Sequence, residues 1–165
     1  VQGYNGQLAV DAEHQIIVAH DLTNQQNDVE MLLPMLTKVK RNTGRQTKEV
    51  SADAGYCSES NLRELIRRRI RGYVATGRQQ HADSSPRGRL GHTPGTATYE
   101  MRLRLSKAGF RSRYRLRKQV VEPVIGQIKA VLGFTRFLLR GIEKVRHEWG
   151  LVCMASNLRK LAAAS

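Results

Sequence analysis

Apolar and polar positions along the chain change period several times. Residues 7–11 (QLAVD) and 15–23 (QIIVAHDLT) are β-prone around the short polar break AEH, which predicts an antiparallel hairpin with Ile16, Ile17 and Val18 at its buried centre. A helical period follows, with Met31, Leu32, Met35, Leu36 and Val39 on one stripe. Asn27 or Asp28 caps that helix, which runs to about Lys40 and stops at NTG, residues 42–44. Pro34 either kinks it or marks its first turn. EVSAD at 49–53 reads as a short strand ending at Ala54-Gly55. Ser58 or Ser60 then caps a helix through about Arg69, carrying Leu62, Leu65, Ile66 and Ile70 at helical spacing. GYVAT at 72–76 is a further short strand.

Periodicity lapses over 77–97, where four glycines, two prolines and small polar residues predict a mobile, basic loop. Helical patterns resume at about 98–108, 112–132 and 143–163, the last placing Val145, Trp149, Val152, Leu158 and Leu161 on or near one face as packing. Tyr73 and Trp149 read as core. Strand, strand, helix, strand, helix, strand, loop and then helices is an α/β order with a helical C-terminal third, in a single domain over 1–165. Four short strands make an incomplete sheet that one more strand before Val1 would finish.

Composition narrows the class. No apolar run approaches the roughly 18 to 20 residues a membrane helix needs, and no charged-then-apolar signal opens the chain. Cys57 and Cys153 alone make neither a disulfide framework nor a four-ligand zinc cluster; they read as inert thiols in a reduced, cytosolic protein. His14, His20, His81, His92 and His147 have no metal-ligand spacing and read as loop or surface residues.

Charge adds more. The 28 Lys and Arg outnumber the 14 Asp and Glu, a net of +14, and the excess is local. Residues 1–59 hold 5 cations against 8 acids, 60–120 hold 16 against 3, and 121–165 hold 7 against 3. Between Glu100 and Glu122 lie eight basic residues, Arg111, Arg113, Arg117 and Lys118 among them, and no acid. Such cations repel one another without an anionic partner, which implies binding to a polyanion, nucleic acid being the commonest.

Two carboxylates are candidates for chemistry. Asp53 closes an apolar strand, where α/β sheets expose functional side chains, although Asp-Ala-Gly is also ordinary turn chemistry. Glu122 precedes Pro123 at an expected helix start and is the sole acid between Glu100 and Glu143. Brought together, they would form a hard-oxygen site suited to Mg²⁺ or Mn²⁺ and to phosphodiester chemistry. Lys129, seven residues past Glu122, falls two turns along the same helical face, where it could clamp a phosphate.

The stretch EVSADAGYCSESNLREL, followed by YRLRKQVVEPVIGQIKAVLGFTRFLLRGIEKVRHEWGLVCMASNLRKL, resembles DDE transposases of bacterial insertion sequences. The likeness runs from Gly3-Tyr4-Asn5 to Leu161. It implies an RNase H-like core, a mixed sheet flanked by helices, with an Asp-Asp-Glu triad, Mg²⁺ or Mn²⁺ as cofactor, and Mg²⁺-dependent DNA strand cleavage and transfer. Its partners would be double-stranded DNA, as transposon ends and target, and a second copy in a synaptic complex. By that likeness Asp53 stands at the family's second Asp and Glu122 at its Glu. Tyr114, Arg117, Glu122 and Lys129 match the family's Tyr, Arg, Glu, Lys signature, with one residue too many between Arg117 and Glu122; Lys118 would restore that spacing but would put Arg115 in the tyrosine's place.

The family's first Asp lies on the strand before the hairpin, and this chain starts at the hairpin. Asp11 closes the first hairpin strand and should point to solvent; Asp21 lies past the second strand and Asp28 at a helix cap. The expectation is an N-terminally incomplete catalytic domain that binds DNA without cutting it. The alternatives are a non-catalytic DNA-binding remnant or recruited module and, more remotely, a basic RNA-binding protein.

Overall fold

The computed structural model describes residues 3–25, 28–77, 93–107 and 113–164, the last stretch with side chains from 119 onward. In chain order the elements are β1 (Asn5–Val10), β2 (Ile17–Thr23), α1 (Leu32–Thr43), β3 (Glu49–Ala52), α2 (Glu59–Arg67), β4 (Arg71–Val74), α3 (Ala97–Ser106), α4 (Arg113–Ala130) and α5 (Ile142–Ala164). The architecture is mixed α/β, with β1 antiparallel to β2 and β3 parallel to β4. The chain forms two compact units, one of Val1–Gln26, Leu33–Gln46 and Lys118–Ser165, the other of Asn27–Leu32 and Thr47–Arg117. Most of the expected loop at 77–97, residues 78–92, lies outside the described residues.

In the first unit the hairpin closes where Asp11 accepts the backbone N–H groups of Glu13 (3.2 Å) and His14 (2.7 Å) and Gln15 turns left-handed at φ 56°. The buried apolar residues of β2 are Ile17, Ala19 and Leu22, with Thr23 buried at its end, not the consecutive Ile16, Ile17 and Val18. A strand alternates faces, so neighbours cannot all point inward. Val18 is moreover the extra residue of a bulge, since Ala9 faces Ala19 and Val10 faces Ile17. Its carbonyl accepts from the Asn42 amide at 2.9 Å.

α5 lies on β2 and buries Val145, Trp149, Cys153 and Ser156. Ile17, Leu22, Val124, Ile128, Val145, Trp149 and Cys153 make the core of this unit. Trp149 donates its indole N–H to the Gln7 carbonyl (3.3 Å), and the Asn157 amide satisfies both backbone groups of Ile17 at 2.8 Å each. Leu158 and Leu161, expected on the packed face, are 59% and 58% exposed. Nine residues at about 100° each rotate Leu158 half a turn away from Trp149.

Pro34 sits in the first turn of α1, where a missing N–H removes no helical bond. Gly44 ends the helix at φ 68°, its N–H returning to the Lys40 carbonyl. Pro123 lies inside α4, so Glu122 is mid-helix and not at a helix start. The bond that Pro123 cannot donate leaves the Gln119 carbonyl without its usual donor, and the Gln15 side chain supplies one at 3.1 Å.

In the second unit β3 and β4 pair from Glu49–Arg71 to Ala52–Val74. Ser58 caps α2 by accepting the Asn61 N–H at 3.1 Å, and buried Asn61 donates to the carbonyls of Val29 (2.7 Å) and Tyr56 (2.9 Å). Leu62 and Leu65 are buried, while Ile66 is exposed because it stands a further 100° round the helix. Ile70 is buried beyond the helix end. Gly72 permits a close approach: a Cβ there would lie 2.8 Å from Leu65 Cδ1. α3 buries Ala97, Met101 and Leu105, one residue per turn.

Candidate active-site carboxylates and nucleic-acid interface

Asp53 follows the last residue of β3 with extended backbone, φ −76° and ψ 170°. It is exposed, and its side chain does not cap the 3-10 turn Ala54–Tyr56 that follows. Two residues that spacing could not reveal belong to the same place. Gly55 brings the chain against Asp28, whose Oδ2 would stand 3.3 Å from a Cβ at that glycine. Tyr56 feels both acids: burial first, then the charges of Asp28 and Asp53, push its phenol up to about 12. It stays a neutral hydroxyl at physiological pH. Asp28 precedes the turn Val29–Met31 but makes no side-chain cap bond there, so capping does not explain it.

Glu122 and Lys129 are exposed on α4, with Val124 and Ile128 anchoring the opposite side. Seven residues separate them along about 10 Å of helix. Among the described residues neither has an ion-pair partner. Arg113, Tyr114, Arg117 and Lys118 lie on the backbone of α4, but their side chains, and the whole of Arg111, fall outside the described residues. Asp53 belongs to one compact unit and Glu122 to the other. Among the described residues no group of three or more His, Cys, Asp or Glu could hold a metal ion.

Asp11 and Asp21 have structural work. Asp11 holds its turn. Asp21 lies within β2, not past it, and pairs with Lys38 (2.6 Å) and Arg146 (3.5 Å). Burial opposes its ionisation, yet Lys38, the Leu22 N–H and Arg146 together hold its carboxyl below the usual range. His20 is half-buried within β2: Gly150 leaves it room, its Nδ1 is buried without a hydrogen-bond partner among the described residues, and burial, then Lys38, lowers its basicity. Cys57 is half-buried and Cys153 buried; burial raises both thiols, Cys153 to about 12, in keeping with inert cysteines.

The basic region is partly neutralised in place. Arg63 pairs with Glu59 at 2.8 Å, and Arg67 and Arg68 both pair with Glu64 at 2.6 Å. Arg69, Arg71 and Arg104 instead line a cleft of about 410 Å³ together with Ile66, Ile70 and Tyr73. It opens at the start of β4, whereas Asp53 follows the end of the parallel neighbour β3. Arg104 is held by a bond to the Gly72 carbonyl (3.1 Å), and Arg71 stands 4.0 Å from Glu49. Guanidinium groups lining an open, shallow cleft suit phosphate oxygens.

The family described as Transposase DDE domain matches residues 1–158 of this chain. The chain belongs to that family. Comparison with curated proteins and with solved structures finds no match. Membership gives this DDE domain a role in DNA transposition and DNA as substrate, in a family that generally uses a divalent metal. No helix among the described residues is long and apolar enough to cross a membrane.

Proposed function

We propose that this DDE domain cuts and joins DNA strands during movement of a bacterial insertion sequence, on an RNase H-like core, with Asp53 and Glu122 as its metal-holding carboxylates. The observation that carries the reading is the exposed carboxylate of Asp53 directly after the C-terminal end of β3, the strand end at which α/β sheets present functional side chains. Exposed carboxylates are the hard oxygen donors that Mg²⁺ or Mn²⁺ takes, so Asp53 and Glu122 fit such an ion chemically. A bound divalent ion supplies a more acidic attacking water or 3′-hydroxyl and offsets charge on the leaving oxygen. The chain's own residues then position the substrate. Lys129, on the same α4 face as Glu122, holds a neighbouring phosphate. Arg111, Arg113, Tyr114, Arg117 and Lys118 follow the DNA backbone, and a second copy completes a synaptic pair.

Iron-directed backbone cleavage tests the shared site without relying on turnover. With Fe²⁺ in place of Mg²⁺, radical cuts are expected near both residue 53 and residue 122, suppressed by excess Mg²⁺ and lost in either Asp53→Ala or Glu122→Ala. Cuts confined to one of the two positions would sink the pairing. In any form of the protein that nicks DNA, each substitution should lower the rate by about 10³-fold, the loss of several kcal/mol of charge stabilisation, while DNA binding changes little.

A further inference from the structure

Residues 131–141 connect α4 to α5, and their tip is the most exposed large apolar side chain described: Leu138, at 75%. The tip is rigidly mounted. Glu148 accepts the successive backbone N–H groups of Leu138 (2.8 Å) and Leu139 (3.0 Å) with its two carboxylate oxygens. Beneath, Phe137 packs edge-on against Phe134, Trp149 and Tyr4, with ring centroids 5.2, 6.0 and 6.0 Å away. The Tyr4 hydroxyl accepts the N–H of Gly141, whose φ of 85° turns the chain into α5. Two residues to either side of Leu138 stand Arg136 and Arg140, both exposed and neither with an ion-pair partner among the described residues.

A leucine held out in water loses the stabilisation of burial, and a loop braced this firmly cannot fold it back. Its flanks decide what it meets. Free guanidinium groups beside an apolar tip would oppose burial in an apolar protein groove, since both would lose hydration without a counter-charge. They suit a polyanion whose charged rows border an apolar interior, which describes stacked bases between phosphates. Four residues of chain reach at most about 14 Å, enough to place Arg136 and Arg140 on phosphates either side of a groove about 6–12 Å wide.

We infer that Leu138 is a wedge that enters a base step of duplex DNA, while Arg136 and Arg140 grip the adjoining phosphates. This deepens the DNA-acting reading above and rests on it. Insertion of such a side chain partly unstacks a step and kinks the helix, at a cost of a few kcal/mol offset by added phosphate contacts. The wedge is a DNA-deforming element on the loop after α4 and takes no part in the metal-dependent chemistry.

The test is a change in DNA twist. The 165-residue protein is bound to plasmid, the plasmid is relaxed by a type I topoisomerase, and its linking number is read after protein removal. The unaltered protein is expected to shift the linking number in proportion to the amount bound. Leu138→Ala should bind within about twofold yet lose the shift, and Leu138→Met should restore it. Arg136→Ala with Arg140→Ala should weaken binding and flatten its salt dependence by about 2 units of slope, near 0.9 per phosphate lost. Binding by the unaltered protein without a shift, or an equal shift by Leu138→Ala, overturns the wedge and leaves the DNA reading standing. If the unaltered protein fails to bind DNA at all, that reading falls and the wedge falls with it.

Discussion

Glu59 lies six residues past Asp53 in the same unit. Glu59 is fully engaged. It accepts the N–H groups of Ala97 (2.9 Å) and Thr98 (3.0 Å), the Thr98 hydroxyl (2.9 Å) and Arg63 (2.8 Å), so α3 starts where α2 holds it. Those donors, the Ala97 N–H foremost, bring its carboxyl down to about 2 from an ordinary 4.5. A folded-state value below the unfolded one stabilises the fold fully above about 4.5, and that contribution is lost as pH falls towards 2. Glu59→Gln should therefore melt below the unaltered protein at pH 6, with the gap closing between pH 4.5 and 2. Glu64, lowered over the same range, is present in both proteins and cancels. A gap that does not change with pH would mean that the Glu59 charge is irrelevant. Asp53 could be singled out from sequence because a strand end followed by Ala-Gly has a recognisable form. Glu59 could not, since Ala97 and Thr98, which give it three of its four bonds, lie almost forty residues on, past a segment without periodicity. Asp28 was hidden for a related reason: a residue placed to cap a helix gives no sign that its side chain faces another turn.

At the scale of elements, every helix and strand read from periodicity has a counterpart, yet faces and ends were less legible. α5 is the clear case. Apolar residues occupy both of its sides, so its pattern signals a helix without saying which side is buried. The rotation from Trp149 fixes the answer only once one contact is known. The two sides should separate sharply on truncation. Trp149→Ala removes a ring from the core together with its bond to Gln7, and should cost about 3–5 kcal/mol in urea unfolding. Leu158→Ala removes an exposed side chain and should stay within about 0.5 kcal/mol. A loss at Leu158 comparable with that at Trp149 would show that this side of α5 is covered in solution. α4 shows a different limit. Pro123 invites a helix boundary, and what overrides it is a glutamine more than a hundred residues earlier that supplies the replacement donor. Local propensity cannot register a partner so distant.

Over the whole molecule, charge is the property most readable from sequence and least readable in detail. The net of +14 and its concentration in residues 60–120 need only counting. Which cations face a ligand depends on side-chain geometry, and there the arginines divide. Arg63, Arg67 and Arg68 are occupied by Glu59 and Glu64, whereas Arg69 and Arg104 line the basic cleft without a carboxylate partner among the described residues. A cation already neutralised within the protein releases few counterions when DNA arrives; an unpaired one releases them fully. If six to eight cations engage, log K for duplex DNA should fall with log salt at a slope of roughly −5 to −7. Arg69→Ala with Arg104→Ala should make that slope shallower by about 2, whereas Arg63→Ala with Arg67→Ala should change it by less than about 1, for the same formal loss of charge. Both pairs should affect all sequences alike, because phosphate contacts position a protein without reading bases. Salt titrations of the three proteins on one duplex separate the cases. Equal changes from both pairs would mean that net charge alone draws DNA to this surface and that the cleft has no special part in it.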